Sequence, residues 1–321
     1  MNRRNFLIAS GIASLAFPQL SFAQQYPSKP IHLVVPFPAG SATDTVARII
    51  AEPLGRALGQ SMIVENRPGA DGIIAVRHII GSPPDGHRLL MATATSITGV
   101  TTLSRNPPYD PVADLTGLTQ IGNFPFLLVV NASLPINSIP QLVAYAKANP
   151  GKMTYASGNA TGIVAMSQLI SLTGINPLHV PYKGEPPAML DLVGGRVDMM
   201  FATPTTAGGF INEGKIRPLV TTNKTRLPKA PEVPTMAEAG LAELSFAPWG
   251  GVFGPAGMPA PIAERISREI AEVMRQPQVA EALRQQQLDV QTSTPQEFQA
   301  FIKRELEFWR KVVHEQKLLR D

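Results

Sequence analysis

The chain has 321 residues and no cysteine, which excludes disulfides, thiolate metal sites, a cysteine nucleophile and a cysteine-linked lipid anchor. Its hydrophobic fraction of 44% is that of an ordinary globular core. The formal net charge of +4 comes without any Lys/Arg stripe, which excludes a nucleic-acid binder.

Residues 1–23 read as a secretory signal peptide. They hold Arg3 and Arg4, an apolar stretch to about Phe17, and a small-x-Ala site at Ser21-Phe22-Ala23. The apolar stretch is shorter than the roughly 20 residues that span a bilayer. Paired arginines followed by "NFL" look like a twin-arginine signal, which exports folded proteins; an ordinary Sec signal with two chance arginines is the alternative. Either route delivers a soluble, unanchored protein to the periplasm. A mature chain of about 300 residues means two domains or one large one.

"IHLVVPF" (31–37) reads as a buried strand. A small-residue loop follows, then a helix over Thr43–Leu58 with Val46, Ile50, Leu54 and Leu58 on one face and a kink expected at Pro53. "SMIVENRPGADG" is a strand and turn, Ile73–Ile80 a helix stopped by "GSPPDG", and "HRLLMATAT" (87–95) a strand that runs into another small-residue loop. "FPFLLVVNA" (124–132) is a long apolar strand, and "SIPQLVAYAKANPG" a helix capped by Ser138. "KMTYASGNATGIVAMSQLISLTG" (152–174) repeats the opening theme: a strand to Tyr155-Ala156, the loop "SGNATG", and a helix ended by Gly174. Strands follow at "NPLHVPYKG", "RVDMMFATP" and "KIRPLVTT", with a short helix at "PPAMLDLVGG"; from about Pro261 to Leu319 the chain reads as helical.

Short apolar strands alternating with helices argue for an α/β fold with parallel sheets. The strands at 124–132 and 249–255 bracket a middle block, as if one domain were inserted into another through two crossing segments. Residues 24–125 plus 231–321 are expected to form one lobe, and 126–230 the other.

Open parallel sheets bind ligands beyond the carboxyl ends of their strands, where helix N-termini present unpaired N–H groups and a positive dipole end. The loops at 36–44 and 156–162 both occupy that position, one in each half of the chain. Small side chains let the backbone approach an anion, and Ser41, Thr43, Ser157, Asn159 and Thr161 add hydroxyl and amide groups. The same residues also suit a purely structural turn, and Ser41-x-x-Asp44 fits an N-terminal cap, so Asp44 is expected to brace or cap the loop. No phosphate-binding, dinucleotide, zinc-protease or nucleophile-elbow motif is present, and the five histidines show no metal spacing, so neither metal nor cofactor is expected. His179 reads as structural. Trp249 suits either the cleft or the core, Lys183 either an anion or solvent, and nothing shows Asp191 and Asp198 to be a pair.

Seven stretches together carry a family likeness: "YPSKPIHLVVPFPAGSATDTVAR", "VENRPGADG", "DGHRLLMAT", "NPPYDPVADLTGLTQIG", "VPYKGEPPAMLDLVGGRVDMMF", "PEVPTMAEAG" and "WGGVFGPAGMPAPI". In this order they resemble the Bug-type extracytoplasmic solute receptors of tripartite tricarboxylate transporters, over nearly the whole mature chain. The resemblance implies a type II periplasmic-binding-protein-like α/β fold, two lobes with parallel-rich sheets joined by two crossing strands. It implies a monomer that captures a small organic carboxylate between the lobes, without catalysis, and delivers it to the transporter's membrane subunits. A ligand-presenting sensor subunit for a membrane kinase and, less favoured, an exported enzyme are the alternatives. Carried over, the ligand contacts are Phe37, Pro38, Ala39, Gly40, Ser41 and Thr43 from the first loop, Ser157, Gly158, Asn159 and Thr161 from the second, and Thr203. The chain departs from the family in having Gly40-Ser41 where many members have two glycines. It also reads "SGNATGIVAM" where many have Gly-Ser-x-x-His. Members that bind amino acids tend to place an acid near Ala202-Thr203, and its absence here points away from an amino-acid ligand.

Overall fold

The structure is a computed structural model that describes residues 26–244, 248–315 and 319; the expected signal peptide lies outside the described residues. In chain order the first segment gives β1 (Ile31–Val35), α1 (Ala42–Leu58), β2 (Met62–Asn66), α2 (Ile73–Ile80), β3 (Arg88–Thr93), α3 (Val100–Leu103) and β4 (Leu115–Asn123). The middle segment gives β5 (Leu127–Asn131), α4 (Ile139–Ala148), β6 (Thr154–Ser157), α5 (Ala160–Thr173) and β7 (Leu178–Pro181). It continues through α6 (Glu185–Val193), β8 (Met199–Ala202), α7 (Pro204–Asn212) and β9 (Ile216–Thr221). The last segment gives β10 (Trp249–Pro255), α8 (Ala260–Arg275), α9 (Pro277–Gln285), β11 (Asp289–Val290) and α10 (Pro295–Glu315), so the expected helical run is broken by a short strand.

Two sheets result, each the centre of a lobe. One has the order β11-β4-β10-β3-β1-β2, the other β7-β6-β8-β5-β9. Both are mixed. β1 runs parallel to β2 and β3, and β6 parallel to β7 and β8. β10 lies antiparallel between β3 and β4, and β5 antiparallel between β8 and β9. β5 and β10 are the strands that begin each lobe after a crossing. Their reversed direction follows from the chain entering each sheet from the other lobe.

Helices cover both faces of each sheet, which is why the strands read as continuous apolar runs. β1 shows this at residue level. Ile31, Leu33 and Val35 pack against Val46, Ile50 and Leu54 of α1 and Ile266 and Ile270 of α8. Val34 faces the opposite side, with Val76 and Ile79 of α2 and Phe298 and Ile302 of α10. α1 runs through Pro53 as one helix from its Ser41 cap to Gly59, whose φ of 81° closes its C-terminus. Between the lobes lies a smaller apolar cluster: Leu103, Trp309 and Val313 from the first lobe against Ala160 and Val164 of α5. Among the described residues no helix is long and apolar enough to cross a membrane.

Candidate ligand-binding cleft

The first loop leaves β1 and is tied back on itself. The Gly40 N–H donates to Asp44 Oδ2 (2.9 Å), the Ser41 N–H to the Pro38 carbonyl (3.2 Å), and the Asp44 N–H to Ser41 Oγ (3.3 Å). Asp44 also accepts from Asn66 Nδ2 (2.8 Å) and from Arg48 Nε (3.0 Å). Burial works to raise the Asp44 pKa, but the hydrogen bonds from Arg48, Gly40 and Asn66 outweigh it and hold the carboxyl below its ordinary value. At the first turn of α1 the amides of Ala42 and Thr43 have no partner inside the helix.

The second loop is built differently. Asn159 caps α5 by accepting from the Gly162 N–H (2.8 Å). Its own amide group donates to Glu185 Oε1 (3.3 Å). Glu185 stands at the start of α6 and is almost fully buried. Its Oε2 accepts from the Thr203 N–H (2.9 Å), the Thr203 hydroxyl (2.7 Å) and the Thr206 hydroxyl (2.7 Å). The sequence places no acid at Ala202-Thr203, yet the fold brings one beside Thr203 from α6.

Between these loops lies a cavity of about 40 Å³. Ser41, Ala42 and Thr43 line it from one lobe, Asn159, Thr161 and Thr203 from the other. The N-termini of α1, α5 and α7 therefore converge on it. Phe37, Phe124 and Phe126 supply apolar wall, and Thr93 and Thr95 come from the end of β3. Thr95 Oγ1 and Thr161 Oγ1 share a hydrogen bond across the lobes at 2.7 Å. Among the described residues, no Lys or Arg lines the cavity. Its attraction for an anion rests on helix dipoles, first-turn amides and hydroxyls, opposed by the Glu185 carboxylate.

Of the residues expected to contact ligand, Phe37, Ser41, Thr43, Asn159, Thr161 and Thr203 line this cavity. Pro38, Ala39, Gly40, Ser157 and Gly158 do not. Ala39 and Gly40 are exposed on the outside of the loop. Pro38 meets the other lobe: a Cβ on Gly184 would come within 2.6 Å of its ring. Ser157 Oγ pairs with His179 Nε2 (2.7 Å), and His179 stacks on Tyr155 at 4.7 Å. Gly158 is pressed against the first turn of α6, where a Cβ would meet Glu185 N at 2.5 Å. The positions that sequence reasoning missed are Ala42, Thr93, Thr95, Phe124, Phe126, Glu185 and Pro248. Thr95 had a signal, a strand ending in small residues; Glu185 shared the same strand-to-helix position.

The remaining candidates sit elsewhere. Lys183 is exposed, Asp191 accepts from Tyr182 (2.7 Å) and Arg196 (2.7 Å), and Asp198 accepts from the Thr154 amide (2.7 Å) and hydroxyl (2.9 Å). Trp249 is core and wall at once. It is 1% exposed, yet its Nε1 donates to Glu305 (3.0 Å) at the edge of a second, larger cavity. Among the described residues no cluster of three or more His, Asp or Glu side chains is placed to hold a metal ion.

Residues 46–318 match the tripartite tricarboxylate transporter family receptors (TctC). The protein BugT of Bordetella pertussis is 35% identical, with 98% of each chain covered. The structure of the periplasmic binding protein BugD superposes with a TM-score of 0.88 at 30% identity, covering 92% of this chain and 100% of that one. Rpa4515 of R. palustris, solved with adipate, superposes with a TM-score of 0.87 at 32% identity, covering 91% and 98%.

Proposed function

The chain belongs to the tripartite tricarboxylate transporter family of receptors, and from that premise we propose that it captures a small organic carboxylate between its lobes in the periplasm and hands it to the membrane subunits of such a transporter. The observation that carries the reading is the cavity shared by the lobes, on which three helix N-termini converge with the side chains of Ser41, Thr43, Asn159, Thr161 and Thr203. A carboxylate there gains charge-assisted hydrogen bonds from both lobes and so favours their closure. The adipate bound to Rpa4515 supports a carboxylate as ligand.

We assign 26–125 to one lobe with the last segment. The second lobe runs from 126 past the expected 230 to Leu244, because Val233, Met236 and Leu244 pack in its cores.

A thermal-shift screen tests the reading. Acetate, succinate, adipate and citrate are compared with the matching neutral amides. At a concentration 100 times Kd a bound acid raises stability by about 2.7 kcal/mol. At least one acid is expected to raise Tm while its amide does not; equal shifts by acid and amide would overturn the carboxylate reading.

A further inference from the structure

The carboxylate cavity opens toward a chamber of about 960 Å³, with Thr161 and Pro248 lining both. The two spaces differ in kind. The first, at about 40 Å³, has room for a few water-sized groups, enough for one carboxylate head. The second is walled on one side by the aromatic side chains Trp249, Phe301, Phe308 and Trp309, and is also lined by Lys224, Arg226, Lys229, Arg284 and Asp289. The rings brace one another: Trp249 and Phe301 meet edge to face at 5.3 Å, Phe308 and Trp309 at 6.1 Å. Glu305, on the aromatic side of this wall, is tied to the Trp249 indole, and burial raises its pKa above the ordinary value. Phe308, 57% exposed, lines the chamber from α10 and presents its ring to the space inside. The opposite wall is the second-lobe loop after β9, where Lys229 donates to the Gln285 carbonyl at 3.3 Å.

On the carboxylate reading above, we propose that the ligand is an acid with an apolar or aromatic stem, its head held in the small cavity and its stem lying in the aromatic chamber. A ligand larger than its head group must leave the small cavity, and the Thr161 side is where the two spaces meet. A stem passing there displaces the Thr95–Thr161 hydrogen bond, so Thr161 contacts both ends of the ligand.

The test is a series of acetate, butyrate, hexanoate, octanoate and 4-phenylbutyrate titrated by calorimetry, with succinate and citrate alongside. Each methylene buried in the chamber strengthens binding by about fourfold. Affinity is therefore expected to rise along the series in the parent and in Leu190→Ala, an exposed substitution elsewhere. It is expected to rise much less in Phe308→Ala. The chain's two tryptophans, Trp249 and Trp309, both wall the chamber, so their emission reads its occupancy. Acetate gives the change due to closure alone, and octanoate is expected to add a further change in their emission. If acetate, succinate or citrate binds but the series is flat, or Phe308→Ala leaves its slope intact, the chamber assignment is overturned and the carboxylate clamp stands. If no acid binds, the clamp falls and the chamber assignment with it.

Discussion

The two jaws of the cleft solve one problem with opposite placements of charge. In the first jaw the acidic brace, Asp44, sits behind the loop, neutralised by Arg48 and holding the Gly40 amide away from the cleft. In the second the acidic brace, Glu185, lines the cavity itself and is satisfied only by neutral donors from Asn159, Thr203 and Thr206. The first jaw is a rigid, electrostatically closed unit. The second carries a net negative charge beside the place a carboxylate would occupy. Two loops that look alike in sequence are therefore unequal: on the proposed carboxylate reading, the first would supply the anion cradle and the second shape, hydroxyls and an opposing charge.

The contrast breaks first at the braces. Asp44→Asn replaces a buried charged acceptor of three donors while the half-exposed Arg48 keeps only its bond to Asn66, with an expected loss of about 3 kcal/mol in urea denaturation. Glu185→Gln, whose partners are neutral, is expected to cost about 1–2 kcal/mol. Equal losses would erase the distinction between the jaws. The pH dependence follows from Asp44, whose folded pKa lies below its unfolded value. Its stabilisation is present above the ordinary Asp value of about 3.9 and is lost as pH falls through the folded value. The parent should lose stability along that acid limb, and Asp44→Asn should flatten it.

Thr161→Val keeps shape and removes the hydroxyl that faces Thr95 across the lobes. A lost hydrogen bond to a charged ligand group is worth about 1.5–3 kcal/mol, or roughly 10- to 150-fold in affinity. Titration of the folded variant checks this; parent-like affinity would make the hydroxyl a closure contact only.

The glycines sharpen the comparison. Gly158→Ala drives a Cβ into the backbone of Gly184 and Glu185, and is expected to cost about 1–3 kcal/mol and to weaken binding by displacing Asn159. Gly40→Ala meets no atom within 4 Å, but its φ of 80° costs about 1–2 kcal/mol, in thermal melts and with little change in affinity. Smallest at the site is Ser138→Ala. It removes the α4 cap outside the cleft, where Ser138 Oγ accepts from Gln141 N, and should cost about 1 kcal/mol of stability with no change in affinity.

Much of the fold was legible because its signals are local. Ile73–Ile80 is the helix that its apolar spacing predicts, Ser138 caps α4, and Gly174 ends α5 with a φ of 68°. β4 was not legible, because "LTGLTQIGN" carries two glycines and scattered threonines, and its strand character comes from pairing with β10. The nearby Gly251 of β10 is there for Phe298, which a Cβ would meet at 2.1 Å. α7 was hidden by "PTTAGGFIN", whose threonines and glycines disfavour a helix. Its start is fixed instead by Glu185, distant in sequence, which accepts from Thr203 and Thr206. The site divides the same way. Its loops were visible as small-residue breaks after strands, whereas Thr93 reaches it through sheet register and Phe124 and Phe126 through the crossing between β4 and β5, neither of which a local pattern encodes.

The apolar cluster of Leu103, Ala160, Val164, Trp309 and Val313 spans both lobes, so drawing the lobes together removes hydrocarbon from water whichever ligand is taken. Capture is then expected to carry a negative heat capacity beyond what the ligand's own surface explains. Its enthalpy should grow more favourable on warming, and the contribution of this cluster should weaken in the cold. Calorimetry at several temperatures would read that excess even with acetate, because it belongs to the joint between the lobes and not to the cargo.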